Sequence, residues 1–387
     1  MHDQQPGHDR SPDISRRALL KRAGVGAGAL AAGPLLLSAC GDDEKTTSTA
    51  APGASGESAE LKALLDAVES KRVIIANYGG TTEAAREKAF WEPFTERTGV
   101  RVVGTDLPGN MGDDQLSGKI PVKWDAYHGS PGQMLAATKV SGKEAPRVPD
   151  FAQEDLLPEE FRPYFFQTFF VGYVPAMLPG TFSGEQPKTW ADFFDTKKFP
   201  GKRAWPGAEY RNVGTFEAAL MADGVAPDEL YPLDLERAAA KMKPLIKDAL
   251  IYQQFPQAQS FLTSKSVSMS FAGNGLWKGL QDKGVKLEIL WDMAPIVQPN
   301  GMSILPDSPN ADAVQALAGF CAQPERQAEF ARLTSYGPPS EAAFEVLTEA
   351  ETAELPNAPG RAHAVADEKY YGENDPLLAD WNKKIFS

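Results

Sequence analysis

From residue 71 onward, short apolar segments alternate with amphipathic helical patterns, and few folds accommodate that alternation. KRVIIANYGG predicts a strand. EAAREKAFWEPFTERTG after it predicts a helix that Gly99 ends and that Pro93 either bends or restarts. VRVVGTDL and KWDAYHGSP predict two further strands. The pattern favours an α/β fold with largely parallel sheets.

The N-terminal 39 residues have the pattern of an export signal. SRRALLK at 15–21 matches the twin-arginine export pattern, and a weakly apolar run follows over 23–37. That run is too short and too weakly apolar for a membrane-spanning helix, which needs about 20 apolar residues. LSAC ends at Cys40 and matches a lipobox, in which cleavage exposes a cysteine for lipid attachment. We therefore predict a signal peptide over 1–39 and a lipidated Cys40; the alternative is a buried N-terminal helix beside a core cysteine.

The segment after Cys40 is mostly small, polar and acidic, as in GDDEKTTSTAAPGASGESAE. Such a segment buries too little apolar surface to offset the entropy of ordering it, so we predict a flexible tether over 40–68. A lipid, a tether and a soluble body describe a bacterial lipoprotein, periplasmic or on the cell surface and anchored to the membrane. The remaining body is long enough for a large core and two domains.

Charge and cysteine content exclude several classes of partner. Residues 1–39 hold five of the 39 Lys and Arg residues and three of the 52 Asp and Glu residues, so the mature net charge is −15. This balance argues against nucleic acid and anionic membrane surfaces as partners. Cys321 would be the only other cysteine, so the mature body has no internal disulfide. Its two histidines lack metal-ligand spacing, and we expect neither metal nor cofactor.

Several blocks of this body resemble bacterial ABC-transporter solute-binding proteins. PKTWADFFDTKKFPGKRAW is the most specific, and ANYGGTTEAAREKAFWEPFTERTGVRV, SVSMSFAGNG and FCAQPERQAEFARLTSYGPPSEAA occur in the family's order. The resemblance covers residues 70–385 and is closest to the branch that includes spermidine/putrescine-binding proteins. It implies a two-lobed periplasmic-binding-protein fold, type II-like, with two crossing hinge segments. It also implies a monomer that passes its solute to an ABC permease in the cytoplasmic membrane.

The resemblance also implies where the lobes divide. We expect lobe 1 to contain 69–172 and 298–345, lobe 2 to contain 173–297, and residues 346–387 to form a C-terminal segment that docks on the body. The solute would bind between the lobes, outside the carboxyl ends of the strands. Contacts made from both lobes only in the closed state would shift an open–closed equilibrium towards closure.

The first predicted solute contacts lie where strands end. The resemblance places contacts at Tyr78, Gly79 and Gly80, before a helix start whose unbonded N–H groups favour an anion. Ser130 matches a family serine that hydrogen-bonds the solute, and Tyr336 matches an aromatic residue that closes over it. The alternatives are an ordinary strand-to-helix turn and a hydrogen-bonded core tyrosine.

Other candidate contacts lie in the second predicted lobe. Phe271 occupies the position of a tryptophan that stacks on the amine chain in polyamine receptors, and Asn274 lies in the turn after it. An ungapped alignment puts Tyr210 or Arg211 where those receptors carry one solute-binding acid. The second acid falls at NGM, over 300–302.

Glu209 and Asp292 would have to replace those two acids after a one-residue shift. Polyamine receptors need such carboxylates, because an ammonium without a partner is costly to desolvate. Arg211 instead presents a planar fork suited to a carboxylate or phosphonate. Tyr78, Phe271 and Tyr336 could box an amine by cation–π contact.

We therefore predict a receptor for a small amine-containing solute, a polyamine or a related compound. A zwitterion or a carboxylate or phosphonate solute is the alternative. Iron(III) is a further alternative, but TSYGPPS supplies only one tyrosine, and Tyr370 and Tyr371 lie in the C-terminal tail. A lipid-anchored enzyme is the alternative from another class. The sequence contains no Gly-x-Ser-x-Gly elbow, His-Glu-x-x-His helix or phosphate-binding Gly-Lys-Ser/Thr motif, so we expect no catalysis.

Overall fold

The computed structural model describes residues 57–77, 80–106, 115, 119–142, 145–148, 157, 159–210 and 212–387. The predicted signal peptide and Cys40 lie outside these residues, as does the tether up to residue 56. Tyr78, Gly79 and Arg211 also lie outside them. What the sequence predicts for these residues stays a prediction. The rest of the predicted tether is not flexible throughout: Ala59–Asp66 form a helix that buries Leu61 and Leu65 in the core.

Ten strands in the described residues form one mixed sheet. They are β1 (Arg72–Asn77), β2 (Arg101–Asp106), β3 (Ala126–Gly129), β4 (Phe166–Met177), β5 (Arg203–Pro206), β6 (Leu250–Tyr252), β7 (Met269–Gly273), β8 (Glu288–Ile289), β9 (Ile296–Ile304) and β10 (Ala364–Val365). The order across the sheet is β2-β1-β3-β9-β4-β7-β5-β6, with β8 paired to β4 and β10 to β9.

Fourteen α-helices lie in the same part of the chain. They are α1 (Ala59–Asp66), α2 (Gly80–Arg86), α3 (Glu92–Thr98), α4 (Pro131–Ser141), α5 (Trp190–Phe194), α6 (Thr215–Ala222), α7 (Leu235–Asp248), α8 (Phe255–Thr263), α9 (Asn274–Asp282), α10 (Ala311–Cys321), α11 (Pro324–Thr334), α12 (Glu341–Val346), α13 (Glu349–Ala353) and α14 (Glu368–Phe386). A π-turn over Glu87–Trp91 joins α2 to α3, and a 3₁₀ turn over Trp291–Met293 follows β8.

The π-turn explains how one helical pattern continues through a proline. Pro93 has no N–H, and its ring would clash with the preceding turn of a regular helix. The chain widens instead, and the N–H of Glu92 donates to the carbonyl oxygen of Glu87, five residues earlier. Gly99 then ends α3 in the left-handed conformation, at φ 74°. The predicted bend is thus a change of helix type.

The sheet has two parallel halves joined by antiparallel strands. We call β2, β1 and β3 the first half, because β1 pairs parallel with both neighbours. We call β7, β5 and β6 the second half, because β5 pairs parallel with both of its neighbours. The crossing strands β4 and β9 pair with each other and join the halves in antiparallel fashion. The predicted α/β class with two crossing segments is confirmed, in a sheet that is mixed overall.

The carboxyl ends of the two halves face each other along the crossing strands. Gly129 ends β3 opposite Gly301, which in turn pairs with Gln167 of β4. Gly273 ends β7 opposite Tyr173 of β4. The two ends are therefore separated along β4 by residues 167–173, about 20 Å of extended chain. The predicted lobe boundaries fall inside these paired strands, and the division into lobes stays a prediction.

Helix α14 lies against both halves of the sheet. It packs on α4, which follows β3 of the first half, and on α7 of the second half. Two glycines permit the close approach to α4. A Cβ atom on Gly132 would lie 2.7 Å from the carbonyl oxygen of Glu368, and one on Gly372 would lie 2.8 Å from the carbonyl oxygen of Gly132.

Candidate functional site

Tyr336 lies where helix starts from the two halves come together. It follows α11, and its ring stacks on Phe169 of β4 with 4.6 Å between ring centroids. Its hydroxyl hydrogen-bonds with Thr82, in the first turn of α2 in the first half. On the other side, a Cβ atom on Gly275 of α9 would lie 2.5 Å from the Tyr336 hydroxyl oxygen. Tyr336 therefore contacts both halves over the middle of the crossing strands.

A buried basic pair lies next to Phe169. Nη2 of Arg86 is 2.7 Å from Nε2 of His128, and Nη1 of Arg86 is 3.5 Å from Oδ1 of Asn77. The guanidinium carbon of Arg86 is 5.8 Å from the Phe169 ring centroid, and His128 stacks on that ring at 5.7 Å. Burial, together with the charge of Arg86, lowers the pKa of His128 well below its usual value. The imidazole is therefore neutral, and its Nε2 accepts from the guanidinium.

Ser130 lies directly after β3, and its side chain contacts a buried carboxylate. The Ser130 hydroxyl hydrogen-bonds with Glu368, the first residue of α14. Glu368 also accepts from the N–H of Gly132 and from Nε2 of Gln298, each at 2.8 Å. Only 1% of Glu368 is exposed, and burial raises its pKa to about 7 although these three hydrogen bonds lower it.

Asn274 begins α9 in the second half and is fully buried. Its Oδ1 accepts from the N–H of Gly172 in β4 at 2.9 Å, and its Nδ2 donates to the carbonyl oxygen of Ser335. The predicted solute contact thus lies beside Tyr336, and its side chain connects the second half to a crossing strand and to the end of α11.

The turn after β5 holds the next predicted contacts. The N–H of Tyr210 donates to the carbonyl oxygen of Gly207 at 3.0 Å. The ring of Tyr210 packs on Phe255 at 4.6 Å, and its hydroxyl donates to the carbonyl oxygen of Gln253 at 3.2 Å. Partial burial raises the pKa of Tyr210. Glu209 is exposed to solvent, where its carboxylate keeps its hydration.

The structure places Phe271 in the core of the second half. It is fully buried, with ring centroids 5.1 Å from Trp205 and 5.3 Å from Trp190. Successive side chains of a strand point to opposite faces, and this one points away from the α8 face that Ser270 contacts. A packing role accounts for its position.

Asp292 also lies apart from Tyr336. It is exposed in the short 3₁₀ turn after β8, which pairs with the far end of β4. It lines a groove of about 550 Å³ together with Trp291 and Arg361. The Arg361 guanidinium carbon lies 4.7 Å from the Trp291 ring centroid. Arg86, His128 and Glu368 are not among the predicted contacts, because each lies in an otherwise ordinary strand or helix pattern.

Two further features concern metals and membranes. In the part of the chain that the structure describes, His, Cys, Asp and Glu residues form no group of three or more that could hold a metal ion. Within the same residues, none of the helices combines the length and the apolar character needed to cross a membrane.

Comparison with known proteins identifies the class. Residues 163–360 match the family described as bacterial extracellular solute-binding protein, and this chain belongs to that family. It is similar to the gamma-aminobutyric acid-binding protein of Pseudomonas aeruginosa, with 29% identity over 328 residues that cover 81% of this chain and 91% of that protein.

Solved structures agree with this assignment. A GABA receptor matches with a TM-score of 0.70 and 27% identity, over 82% of this chain and 98% of that one. A substrate-binding protein from Bradyrhizobium japonicum USDA 110 matches with 0.73 and 27%, over 82% and 100%. The binding protein AgtB of A. tumefaciens R10, in complex with agropinic acid, matches with 0.68 and 26%, over 83% and 100%.

These matches confirm the periplasmic-binding-protein fold and the class of a solute-binding receptor that works with an ABC permease. They also confirm that the protein is a receptor and not an enzyme. None of the relatives named above is described as a polyamine receptor.

Proposed function

We propose that this protein captures a small zwitterionic amino acid of the GABA type between the two halves of the sheet and passes it to its permease. The observation that carries the proposal is the sign of the polar groups around Tyr336. Arg86, whose two terminal nitrogens lie against Asn77 and His128, acts there through the positive charge of its buried guanidinium, and the first turns of α2 and α9 lie on either side of the ring. All of these favour a carboxylate over an ammonium.

A polyamine would need the opposite arrangement, with a carboxylate for each ammonium. Of the described carboxylates on the elements around the proposed site, Glu368, which contacts Ser130 after β3, is fully buried and already accepts three hydrogen bonds. Glu83 accepts from Nδ2 of Asn77 at 3.2 Å. Both carboxylates are therefore engaged within the protein. A single amine, held by one aromatic ring, fits this site better than a polycation.

The amine of the solute would lie against the Tyr336 ring. The stack of Tyr336 on Phe169 fixes that ring, and a fixed aromatic face attracts an ammonium by cation–π contact. Arg211 and Tyr78, which the sequence predicts as contacts, would add a second guanidinium and a second ring. The predicted lobes would close by bending β4 and β9.

Calorimetric titration of the full chain carrying Cys40→Ala tests the proposal. We expect GABA to bind, and we expect butyrate, which lacks the amine, and 4-aminobutyramide, which lacks the carboxylate, to bind at least tenfold more weakly. Spermidine and putrescine should bind more weakly than GABA. Tighter binding of spermidine, or of the amide, would contradict the zwitterion proposal.

Variants at the ring provide a second test. Tyr336→Ala should weaken GABA binding about tenfold, the loss expected for one desolvated cation–π contact. Tyr336→Phe should retain most of the affinity. Arg361→Lys, in the groove away from the site, serves as the control and should leave affinity unchanged.

We also propose that the chain is exported by the twin-arginine route and anchored through Cys40, as the sequence predicts. Cys40→Ala should release the protein into the soluble periplasmic or medium fraction. Lys at both Arg16 and Arg17 should block export. Fractionation and immunoblotting of the native host would measure both effects, and membrane attachment of the Cys40→Ala variant would contradict the anchor.

A further inference from the structure

A buried series of hydrogen bonds connects the end of β3 to the turn after β5, which we call the two walls of the proposed site. It begins at Ser130, whose hydroxyl contacts Glu368, and continues from Glu368 to Gln298 on the crossing strand β9. The second hydrogen of Gln298 Nε2 goes to the carbonyl oxygen of Asn212 at 3.1 Å. Oε1 of Gln298 accepts from the hydroxyl of Tyr173 at 3.3 Å. Both N–H groups and the carbonyl oxygen of the Gln298 side-chain amide therefore have hydrogen-bond partners.

Helix α14, which begins at Glu368, also holds the other end of the turn after β5. Nδ2 of Asn382, near the end of α14, donates to the carbonyl oxygen of Ala208 at 3.0 Å. Asn382 is 2% exposed and Gln298 is 3% exposed. The turn that carries Glu209 and Tyr210 is thus fixed on both sides by buried amides.

We propose that Glu368 is a positioning residue for the solute site: it holds Ser130 at the end of β3 and, through Gln298, Asn212 after the turn that follows β5. The proposal rests on the proposed function, because it assumes that these two walls contact the solute. In this role, Glu368 keeps the two walls in a fixed position relative to each other when the halves of the sheet approach.

The geometry explains why a carboxylate is needed at position 368. The N–H of Gly132 and Nε2 of Gln298 can only donate, so both need an acceptor. An ionised Glu368 accepts from both and from the Ser130 hydroxyl. A protonated acid or a glutamine at this position has a donor in place of one acceptor. Of the three partners, only the Ser130 hydroxyl can change from donating to accepting.

This arrangement makes solute affinity depend on pH. Burial raises the pKa of Glu368 to about 7. The ionisable groups that act on it are Asp367, the N-cap of α14, and Tyr371 on α14, whose hydroxyl donates to Glu217 of α6 at 2.6 Å. The described side chains of α4 and β9 that contact Glu368 are uncharged. Affinity should rise as Glu368 ionises, between pH 6 and pH 8.

The test compares Glu368→Gln with Glu373→Gln, the same change at an exposed position of α14 that lies 3.8 Å from Lys139. GABA is the probe, because its carboxylate and amine keep their charges between pH 6 and pH 8. We expect the unsubstituted protein to bind GABA at least threefold more tightly at pH 8 than at pH 6. Glu368→Gln should bind about tenfold more weakly at pH 8, the loss of one charge-assisted hydrogen bond, with little pH dependence. Glu373→Gln should keep both the affinity and the pH profile.

A double substitution identifies the route of the effect. In a Ser130→Ala background, Glu368→Gln should weaken binding less than it does alone, because one of the groups it positions is gone. Equal losses in both backgrounds, or a Glu368→Gln profile parallel to that of the unsubstituted protein, would overturn the proposal and leave a structural role only.

Hydrogen exchange of the solute-free protein separates this inference from the proposed function. Glu368→Gln should speed exchange in peptides covering 130–142 and 204–214, and Glu373→Gln should not. If GABA fails to bind, the proposed function is wrong, and this exchange still decides the positioning role. Unchanged exchange in either peptide would overturn it.

Discussion

Replacement of Phe271 by alanine distinguishes a core residue from a solute contact. The sequence predicts that this ring stacks on the solute, whereas the structure buries it completely among the aromatic side chains of the second half. The two roles have opposite consequences. A core ring supports folding, and a solute contact supports affinity.

The magnitude follows from the packing. Removal of a buried phenylalanine side chain costs about 3–5 kcal/mol, and the cost depends on how well the site can collapse. Rings at 5.1 Å and 5.3 Å, from Trp205 and Trp190, are rigid neighbours that cannot fill the gap. Each such aromatic pair adds about 0.5–1.5 kcal/mol beyond burial. We therefore expect a loss of about 4–5 kcal/mol in the free energy of unfolding.

Urea unfolding followed by tryptophan fluorescence measures that loss, and titration with GABA measures affinity under native conditions. Phe182→Ala is the control: Phe182 is half-buried with one described aromatic neighbour, Phe199 at 5.2 Å, and should cost about 1–2 kcal/mol. Folded Phe271→Ala should bind within threefold of the unsubstituted protein. A loss of under about 1 kcal/mol in stability, together with a tenfold loss of affinity, would refute the core assignment.

Three other substitutions have definite expected outcomes. The pKa of Glu368 rises from 4.5 unfolded to about 7 folded, so its contribution to stability is greatest below pH 4.5 and falls by about 3 kcal/mol as pH rises to 7. In urea unfolding, the difference in free energy of unfolding between the unsubstituted protein and Glu368→Gln should change by that amount between pH 4.5 and 7.5. A constant difference would contradict this prediction. Gly275→Ala places a Cβ 2.5 Å from the Tyr336 hydroxyl and should displace that ring. In a titration it should weaken GABA binding, and its effect on the free energy of binding should exceed its effect on the free energy of unfolding. Asn274→Ala strips two buried backbone groups of their partner and should lower the free energy of unfolding by about 2–4 kcal/mol, with near-unchanged stability as the opposing result.

Much of the fold is predictable because its signals are local. The strand over 72–77 and the helical stretch that Gly99 ends follow from apolar periodicity and from glycine or proline positions. The two crossing segments are what the family resemblance implies. One candidate contact has a local signal of the same kind: Ser130 directly follows β3, and ligands bind outside the carboxyl ends of parallel strands. Tyr336 follows a helix, and the family resemblance is what made it a candidate.

The position of Phe271 shows what a matched sequence block cannot supply. A block match places the residue at the right point of the chain, on strand β7, but the direction of a side chain depends on which face of the sheet that residue takes. A one-residue difference in register reverses the direction. The order of blocks is preserved under such a shift, so the match alone cannot distinguish a solute contact from a core ring.

The turn after β5 shows a second limit, and it bears on specificity. The positions of Glu209 and Tyr210 depend on Asn382, 174 residues from its partner Ala208 in the chain, and on Gln298, 86 residues from its partner Asn212. No local pattern predicts such bonds, because buried amides are placed by tertiary packing alone. In the proposed site, the C-terminal helix therefore positions the turn without contacting the solute. Receptors of this family with the same turn sequence but a different last helix should hold the turn differently, and so bind different solutes.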